Sequence, residues 1–260
     1  MTSEHVASTG PEYDDSAKPT RAPSRSPFAA DSDALISPLT MVLVRHGVTD
    51  MTLVHALSGS GEVGPSLNTQ GKIQVAKAAD ALYRIGRRTW ENLAHVSRVF
   101  ASPMTRTQET GGALGRRVGA NVETDDRVRE IHFGEWEGLT GDAVAEQFGD
   151  AIHRWRHAEI AAPGGESIPE VGARMDDFLR DVARQHAALA AQGKDEPRTW
   201  AAASHAVAIK SAVGVSLGME PRTWGAIWPQ PASLTILRLH VDRDGDIVER
   251  HVLCVGAPTS

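Results

Sequence analysis

One cysteine, no long apolar run and no excess of positive charge are what this 260-residue chain has in short supply. Cys254 cannot form an internal disulfide, which excludes the small secreted scaffold held by bridges. It reads as a small buried hydrophobe in a late strand. No apolar stretch approaches the ~20 residues of a membrane span, and the N-terminus lacks the hydrophobic region of a signal peptide. A cytoplasmic protein with no membrane partner is expected. The formal net charge of −6 gives no general attraction to nucleic acid or anionic lipid, so any affinity for phosphate must come from a local cluster of cations.

What is present suits an ordinary globular protein, with 41% hydrophobic and 23% charged residues and length for one sizeable α/β domain or two small ones. Residues 1–38 are rich in Ser, Pro, Thr, Asp and Ala, cannot bury enough apolar surface to offset ordering entropy, and are expected to be a disordered tail. The folded domain is expected over 39–260.

The chain is organised around Met41-Val42-Leu43-Val44-Arg45-His46-Gly47. Four apolar residues read as a buried strand that ends in a cation, an imidazole and a glycine. In open α/β sheets ligands bind beyond the carboxyl ends of strands, so Arg45 and His46 are expected at a ligand crevice, where Gly47 would let substrate approach the backbone. A loop from Val48 to Leu67 follows. Its Gly59 to Gly64 spells G-x-G-x-x-G, but twelve residues beyond the strand and before Pro65, so it reads as a mobile loop, not a dinucleotide fingerprint.

Asn68 or Thr69 can cap a helix with apolar positions Ile73, Ala76, Ala79 and Leu82. Arg98 to Ala101 reads as a second strand, and Ser102-Pro103 as an N-cap with proline at the first helical position, placing Arg106 one turn into the helix. Ala120 to Glu123 reads as a short strand, followed by a loop rich in carboxylates and glycines up to Gly138. A helix is expected near Asp142 to Phe148. His153 and His157 have zinc-ligand spacing but read as a surface face, lacking partners nearby. Ser167 and Glu170 form a capping-box pattern before a long helix with a stripe of Val171, Met175, Phe178, Leu179 and Val182. Thr199 to Ala203 reads as a third strand ending in Ser204-His205, and a helix from Val207 to Leu217 follows. Leu234 to Val241 and Ile247 to Val255 read as a hairpin about Asp244-Gly245. Gly214 to Gly218 matches G-x-S-x-G, but residues ahead of Ser216 continue a helix where an esterase elbow needs a strand.

Three strands thus deliver Arg45 with His46, Arg106, and His205 to one edge. Two guanidiniums and two imidazoles converging there suit phosphate oxygens. Without a metal-ligand set, such a group suggests phosphoryl transfer by a protein nucleophile, with neutral His46 attacking phosphorus, cations stabilising the transferring group, and His205, if protonated, adding a donor. The leaving oxygen still needs a proton from a carboxylic acid, for which Glu130, Glu135 and Glu137 are all candidates on spacing.

The motifs L-V-R-H-G-V-T (Leu43 to Thr49), S-P-M-T-R-T-Q-E-T (Ser102 to Thr110), R-E-I-H-F-G-E-W-E-G (Arg129 to Gly138), P-G-G-E-S (Pro163 to Ser167) and S-H-A-V-A-I-K (Ser204 to Lys210) resemble the histidine phosphatase superfamily, in its branch of bacterial phosphatases with α-ribazole-phosphate phosphatase and broad acid-phosphatase members. The resemblance implies a phosphoglycerate-mutase-like α/β fold, a three-layer α/β/α sandwich with a mostly parallel central sheet. It implies His46 as nucleophile, Arg45, Arg106 and His205 as phosphate pocket, Glu130 as acid and base, and no metal or cofactor. Glu135 and Glu137 would be structural or peripheral. Many relatives hold substrate with an asparagine five residues after the R-H-G glycine. Thr52 stands there in this chain, which weakens the alternative of a cofactor-dependent phosphoglycerate mutase. The expected function is metal-independent hydrolysis of a small phosphate ester, with a non-catalytic phospholigand-binding protein as the remaining alternative. Lys210, Arg154, Trp136, Trp155 and Trp228 are candidates to line the leaving-group pocket.

Overall fold

The computed structural model describes residues 34–259. The expected tail therefore lies almost wholly outside the described residues. Ordered contacts begin slightly before the expected Leu39 boundary: Leu35 bridges Asp242, Ile36 N–H donates to Val241, and the buried His186 donates from Nε2 to the Ser37 carbonyl at 2.6 Å.

A six-stranded sheet has the order β3-β2-β4-β1-β5-β6. The first strand, β1 (Leu39–Arg45), pairs in parallel with β4 (Arg198–Ser204) and antiparallel with β5 (Leu234–Val241). β2 (Val96–Ala101) pairs in parallel with β4 and with the short edge strand β3 (Val122–Thr124), while β6 (Ile247–Ala257) closes the hairpin with β5. The near-continuous apolar character of β1 and β4 follows from burial on both faces. Successive β1 residues feed two separate cores: Val42 and Val44 pack with helices α2 (Thr69–Arg84) and α3 (Thr105–Val118), while Met41 and Leu43 pack with α6 (Ile168–Ala191) and α7 (Ala206–Ser216). This is the expected three-layer α/β/α arrangement. Shorter helices α1 (Asp50–Leu53), α4 (Gly141–Phe148) and α5 (Ala151–Arg156) occupy the connections. Among the described residues, no helix is long and apolar enough to cross a membrane.

The capping box of Ser167 and Glu170 forms as expected, and all five residues of the α6 stripe are buried. Two helical readings need correction. In α2 the buried positions are Gly71, Val75, Ala78, Ala79 and Leu82, whereas Ile73 is 57% exposed and Ala76 faces solvent. The expected stripe was rotated because Gly71, which carries no hydrophobic side chain, belongs to the inner face. Nor do Ser102 and Pro103 start α3, which begins at Thr105 after the N-cap residue Met104. Ser102 remains non-helical because its carbonyl accepts from the Thr107 hydroxyl and Gln108 amide, while its hydroxyl faces a histidine from another strand.

The role read for Gly47 also changes. A Cβ there would lie 2.5 Å from the Gly71 carbonyl, and one on Gly71 would lie 2.0 Å from the Val48 carbonyl. The two glycines let α2 seat directly against the turn after β1, so it is a helix that approaches this backbone. The G-x-S-x-G serine, Ser216, ends α7 and donates to the Ala212 carbonyl, in a helical setting that gives no elbow.

Candidate active site

Because β1, β4 and β2 run parallel, their carboxyl ends share one edge, with Arg45 in register with Ser204 and Ala101 with Ala203. His46 leaves β1 with its N–H on the Ser204 carbonyl, and His205 leaves β4 as the N-cap residue of α7. The two rings lie 5.2 Å apart between centroids. His46 Nδ1 is 2.7 Å from the Gly47 carbonyl. A carbonyl only accepts, so Nδ1 carries the hydrogen and the free lone pair lies on Nε2. Burial, then the charges of Arg106 and Arg45, hold the His46 pKa well below the usual histidine value.

Arg106 is only 1% exposed. Its Nη2 donates to the Ser58 and Gly59 carbonyls at 2.9 and 3.1 Å. Gly64, at φ +79°, permits the approach, since a Cβ there would meet Arg106 Nη1 at 2.4 Å. Arg45 Nη1 donates to the Pro229 carbonyl at 2.9 Å. Arg45 Nε, Arg106 Nε and Nη1, and His205 Nδ1 are buried without hydrogen-bond partners. Orphaned buried donors are rare in folded proteins, and here the residues that carry them are neighbours of His46. An anion with several acceptor oxygens satisfies them together.

The expectation of an optionally protonated His205 is revised. Burial, then Arg106 and His46, hold its pKa well below the usual value. A neutral ring can still donate if its tautomer is fixed, and His205 Nε2 lies 2.8 Å from Ser102 Oγ, which also accepts weakly from Met104 N–H at 3.4 Å. When the hydroxyl donates to Nε2, the hydrogen resides on the unpartnered Nδ1. Ser102→Ala is expected to lower kcat about tenfold while leaving KM within twofold, the scale of one hydrogen bond. Steady-state kinetics check this, and an unchanged kcat removes the tautomer role.

Of the three candidate carboxylates, Glu130 lies within electrostatic reach of both Arg45 and Arg106. It is 6% exposed. Its Oε1 accepts from the N–H groups of Ile131, Val207 and Ala208 at 3.1, 3.1 and 3.3 Å, while Oε2 takes only a 3.3 Å contact from Val207. The first turn of α7 therefore orients the carboxylate and leaves Oε2 less engaged. Glu137 instead accepts from Gly59, Gly61 and Phe133, tying the 59–61 loop to the F-G-E-W-E-G segment and thereby placing the carbonyls that hold Arg106. Glu109 accepts from Leu67 N–H, and Thr105 N–H donates to Val63. The loop read as mobile is thus fastened at both ends.

Several positioning residues carry no signal of their own in the sequence. Arg174 on α6 grips Glu166 bidentately and donates to the carbonyls of Arg127 and Arg129, immediately before Glu130. Ser204 Oγ donates to Val128 at 2.8 Å from the other side. Thr52, expected on the substrate side, commits its hydroxyl to a capping box with Thr49 at the start of α1. Trp136 and Trp155 lie in the core, Arg154 pairs on the surface with Glu159, and the exposed rings of His153 on α5 and of His157 at its C-cap lie 4.5 Å apart between centroids, tilted by 41°. Lys210 does lie near the site. Its ammonium sits 4.2 Å over the exposed Trp228 ring, and burial takes its pKa down to about 8 despite the attraction of Glu130.

Residues 41–251 match the model of the histidine phosphatase superfamily, branch 1. A bifunctional protein of Mycobacterium tuberculosis is 32% identical over 213 residues, covering 79% of this chain and 52% of its own length, so this chain spans about half of that relative. A glucosyl-3-phosphoglycerate phosphatase of Mycolicibacterium vanbaalenii is 29% identical over 79% of this chain and 87% of its own. The solved structure of a mycobacterial glucosyl-3-phosphoglycerate phosphatase superposes with a TM-score of 0.71 at 26% identity, over 85% of this chain and 99% of that one. The chain belongs to the histidine phosphatase superfamily.

Proposed function

We propose that this member of the histidine phosphatase superfamily hydrolyses a small phosphate monoester through two displacements at His46, and that the catalytic domain occupies 39–260. The observation that carries the reading is that Arg45, Arg106 and His205, each with a buried donor lacking a partner, lie beside His46, whose Nδ1 is held by the Gly47 carbonyl and whose Nε2 is left free. In the first displacement Nε2 attacks phosphorus as the bond to the ester oxygen breaks, and Glu130 delivers a proton from Oε2 to the departing oxygen. In the second, the Glu130 carboxylate takes a proton from water as its oxygen attacks phosphorus and the P–N bond breaks, returning neutral His46 and inorganic phosphate. The arginines and His205 stabilise the charge on the transferring group in both steps. No step in this route calls for a metal ion.

Lys210 is read as a contact to the leaving group, selecting esters that carry a carboxylate. The relatives named for glucosyl-3-phosphoglycerate act on such an ester. A lysine with a pKa of about 8 is cationic below that pH, so the preference is lost as pH rises past it. Turnover in EDTA of 3-phosphoglycerate, phosphoserine and uncharged alkyl phosphates, with product analysis, tests the proposal. Free phosphate is expected, whereas an isomerised ester would identify a mutase. Lys210→Gln is expected to raise KM for the acidic esters about tenfold, the scale of one charge-assisted contact, and to leave p-nitrophenyl phosphate unaffected. Equal effects on all esters would remove Lys210 from recognition.

A further inference from the structure

The outer hairpin carries a group of side chains that phosphoryl transfer does not use. Antiparallel register sets His240 opposite Glu249 and Arg238 opposite His251. Alternation along each strand puts all four on one face of the sheet. The rings of His240 and His251 lie 4.9 Å apart between centroids, and His251 Nε2 is 2.9 Å from Glu249 Oε1. His240 Nε2 and Glu249 Oε2 are buried atoms without hydrogen-bond partners. One donor atom from each of His240, Glu249 and His251 lies within 4.8 Å of the others.

We propose that His240, Glu249 and His251 form a binding site for a divalent transition metal of the zinc class, clamping the edge strand β6 to β5. Two imidazoles and a carboxylate form a borderline donor set suited to zinc, cobalt or nickel, with water completing a tetrahedron. Bond lengths of about 2.0–2.2 Å place tetrahedral ligand atoms roughly 3.4 Å apart. The three side chains therefore close by about an ångström around the ion, within reach of small χ rotations on a partly exposed surface. The orphaned Nε2 and Oε2 atoms acquire a partner in doing so. Arg238 is the cation facing this cluster, and the Glu249 carboxylate offsets it. Arg250 turns to the opposite face and pairs with Asp176. The β5–β6 pairing carries three register shifts, between Leu234 and Ile236, Ile236 and Leu237, and His240 and Val241. A cross-strand metal bridge fixes register beside the last of these.

The test uses the untagged full chain, stripped with chelator and titrated with Zn2+ or Co2+ in the presence of saturating phosphate to shield His46 and His205. One equivalent of Co2+ is expected to give the intense visible absorption of a four-coordinate site, and Zn2+ to displace it while raising Tm by several degrees. His240→Ala, His251→Ala and Glu249→Gln are each expected to weaken binding tenfold or more, with p-nitrophenyl phosphate turnover unchanged. A paired His153→Gln, His157→Gln variant, which removes the exposed histidines of α5, is expected to retain full binding. The proposal is overturned if no cobalt spectrum appears at millimolar metal, or if binding survives the hairpin variants and disappears with the α5 pair. Should either histidine variant fail to fold, Glu249→Gln decides the matter, since it preserves shape and removes only the anionic ligand.

Discussion

His46→Ala is expected to lower kcat/KM for p-nitrophenyl phosphate by on the order of 10^4-fold or more, and to abolish the acid-labile, alkali-stable phosphoryl adduct expected on the native protein. The imidazole is positioned, not merely present: the Gly47 carbonyl fixes its tautomer, and the arginines disfavour its charged form. Direct attack by water in the variant would keep the cationic pocket but lose the nucleophile and its aim. The depressed pKa also sets a direction. A protonated ring cannot attack, so the acid limb of kcat/KM, after correction for the substrate phosphate ionising near 6, is expected below the ordinary histidine value of about 6.5. Arg106→Ala would move that limb upward. Turnover and adduct both intact in His46→Ala would end the proposal.

Glu130→Gln should separate the two displacements. The amide keeps an oxygen able to accept from the N–H groups of Ile131, Val207 and Ala208, but it neither gives nor takes the proton. For alkyl phosphates, whose alkoxide is a poor leaving group, kcat is expected to fall by about 10^3-fold, within the usual span of general acid–base catalysis. For p-nitrophenyl phosphate the first step needs little protonation, so the phosphoryl adduct should form and then persist because water is no longer activated. Rapid-quench measurement of adduct against product tests this. Equal losses for both ester classes, with no accumulating adduct, would assign the proton transfers elsewhere.

How far these roles can be read from sequence depends on the range of the contacts that create them. Arg45, His46 and His205 are legible because a charged or polar residue directly after a buried apolar run has few structural reasons to be there. The choice among Glu130, Glu135 and Glu137 is not legible from spacing: Glu130 is selected by backbone donors 77 and 78 residues further along the chain, and Glu137 is turned to a loop 78 residues earlier. Ser102 has the local appearance of a helix cap, and its partner His205 is 103 residues distant. Arg174 looks like any polar position on an amphipathic helix until the 127–130 segment is folded over it. The phase error in α2 has the same origin. Hydrophobicity favours Ile73 as an inward residue, while the contact of Gly71 with Val48 rotates the helix to place Val75 inside.

The donors left without partners around His46 have a consequence for the fold itself. The charges of the half-buried Arg45 and the buried Arg106 are a source of frustration in the free protein, and burial pulls the pKa of both below the ordinary arginine value. On the proposed route an oxyanion would relieve it, so inorganic phosphate is expected to act as a stabilising ligand as well as the second product. By mass action, phosphate at a hundredfold excess over its dissociation constant adds about 2.7 kcal/mol to the unfolding free energy. On the proposed route, turnover would leave the enzyme, at the moment hydrolysis is complete, in a more stable form than the one that must next admit substrate. On that route tight product binding and resistance to unfolding are expected to be coupled.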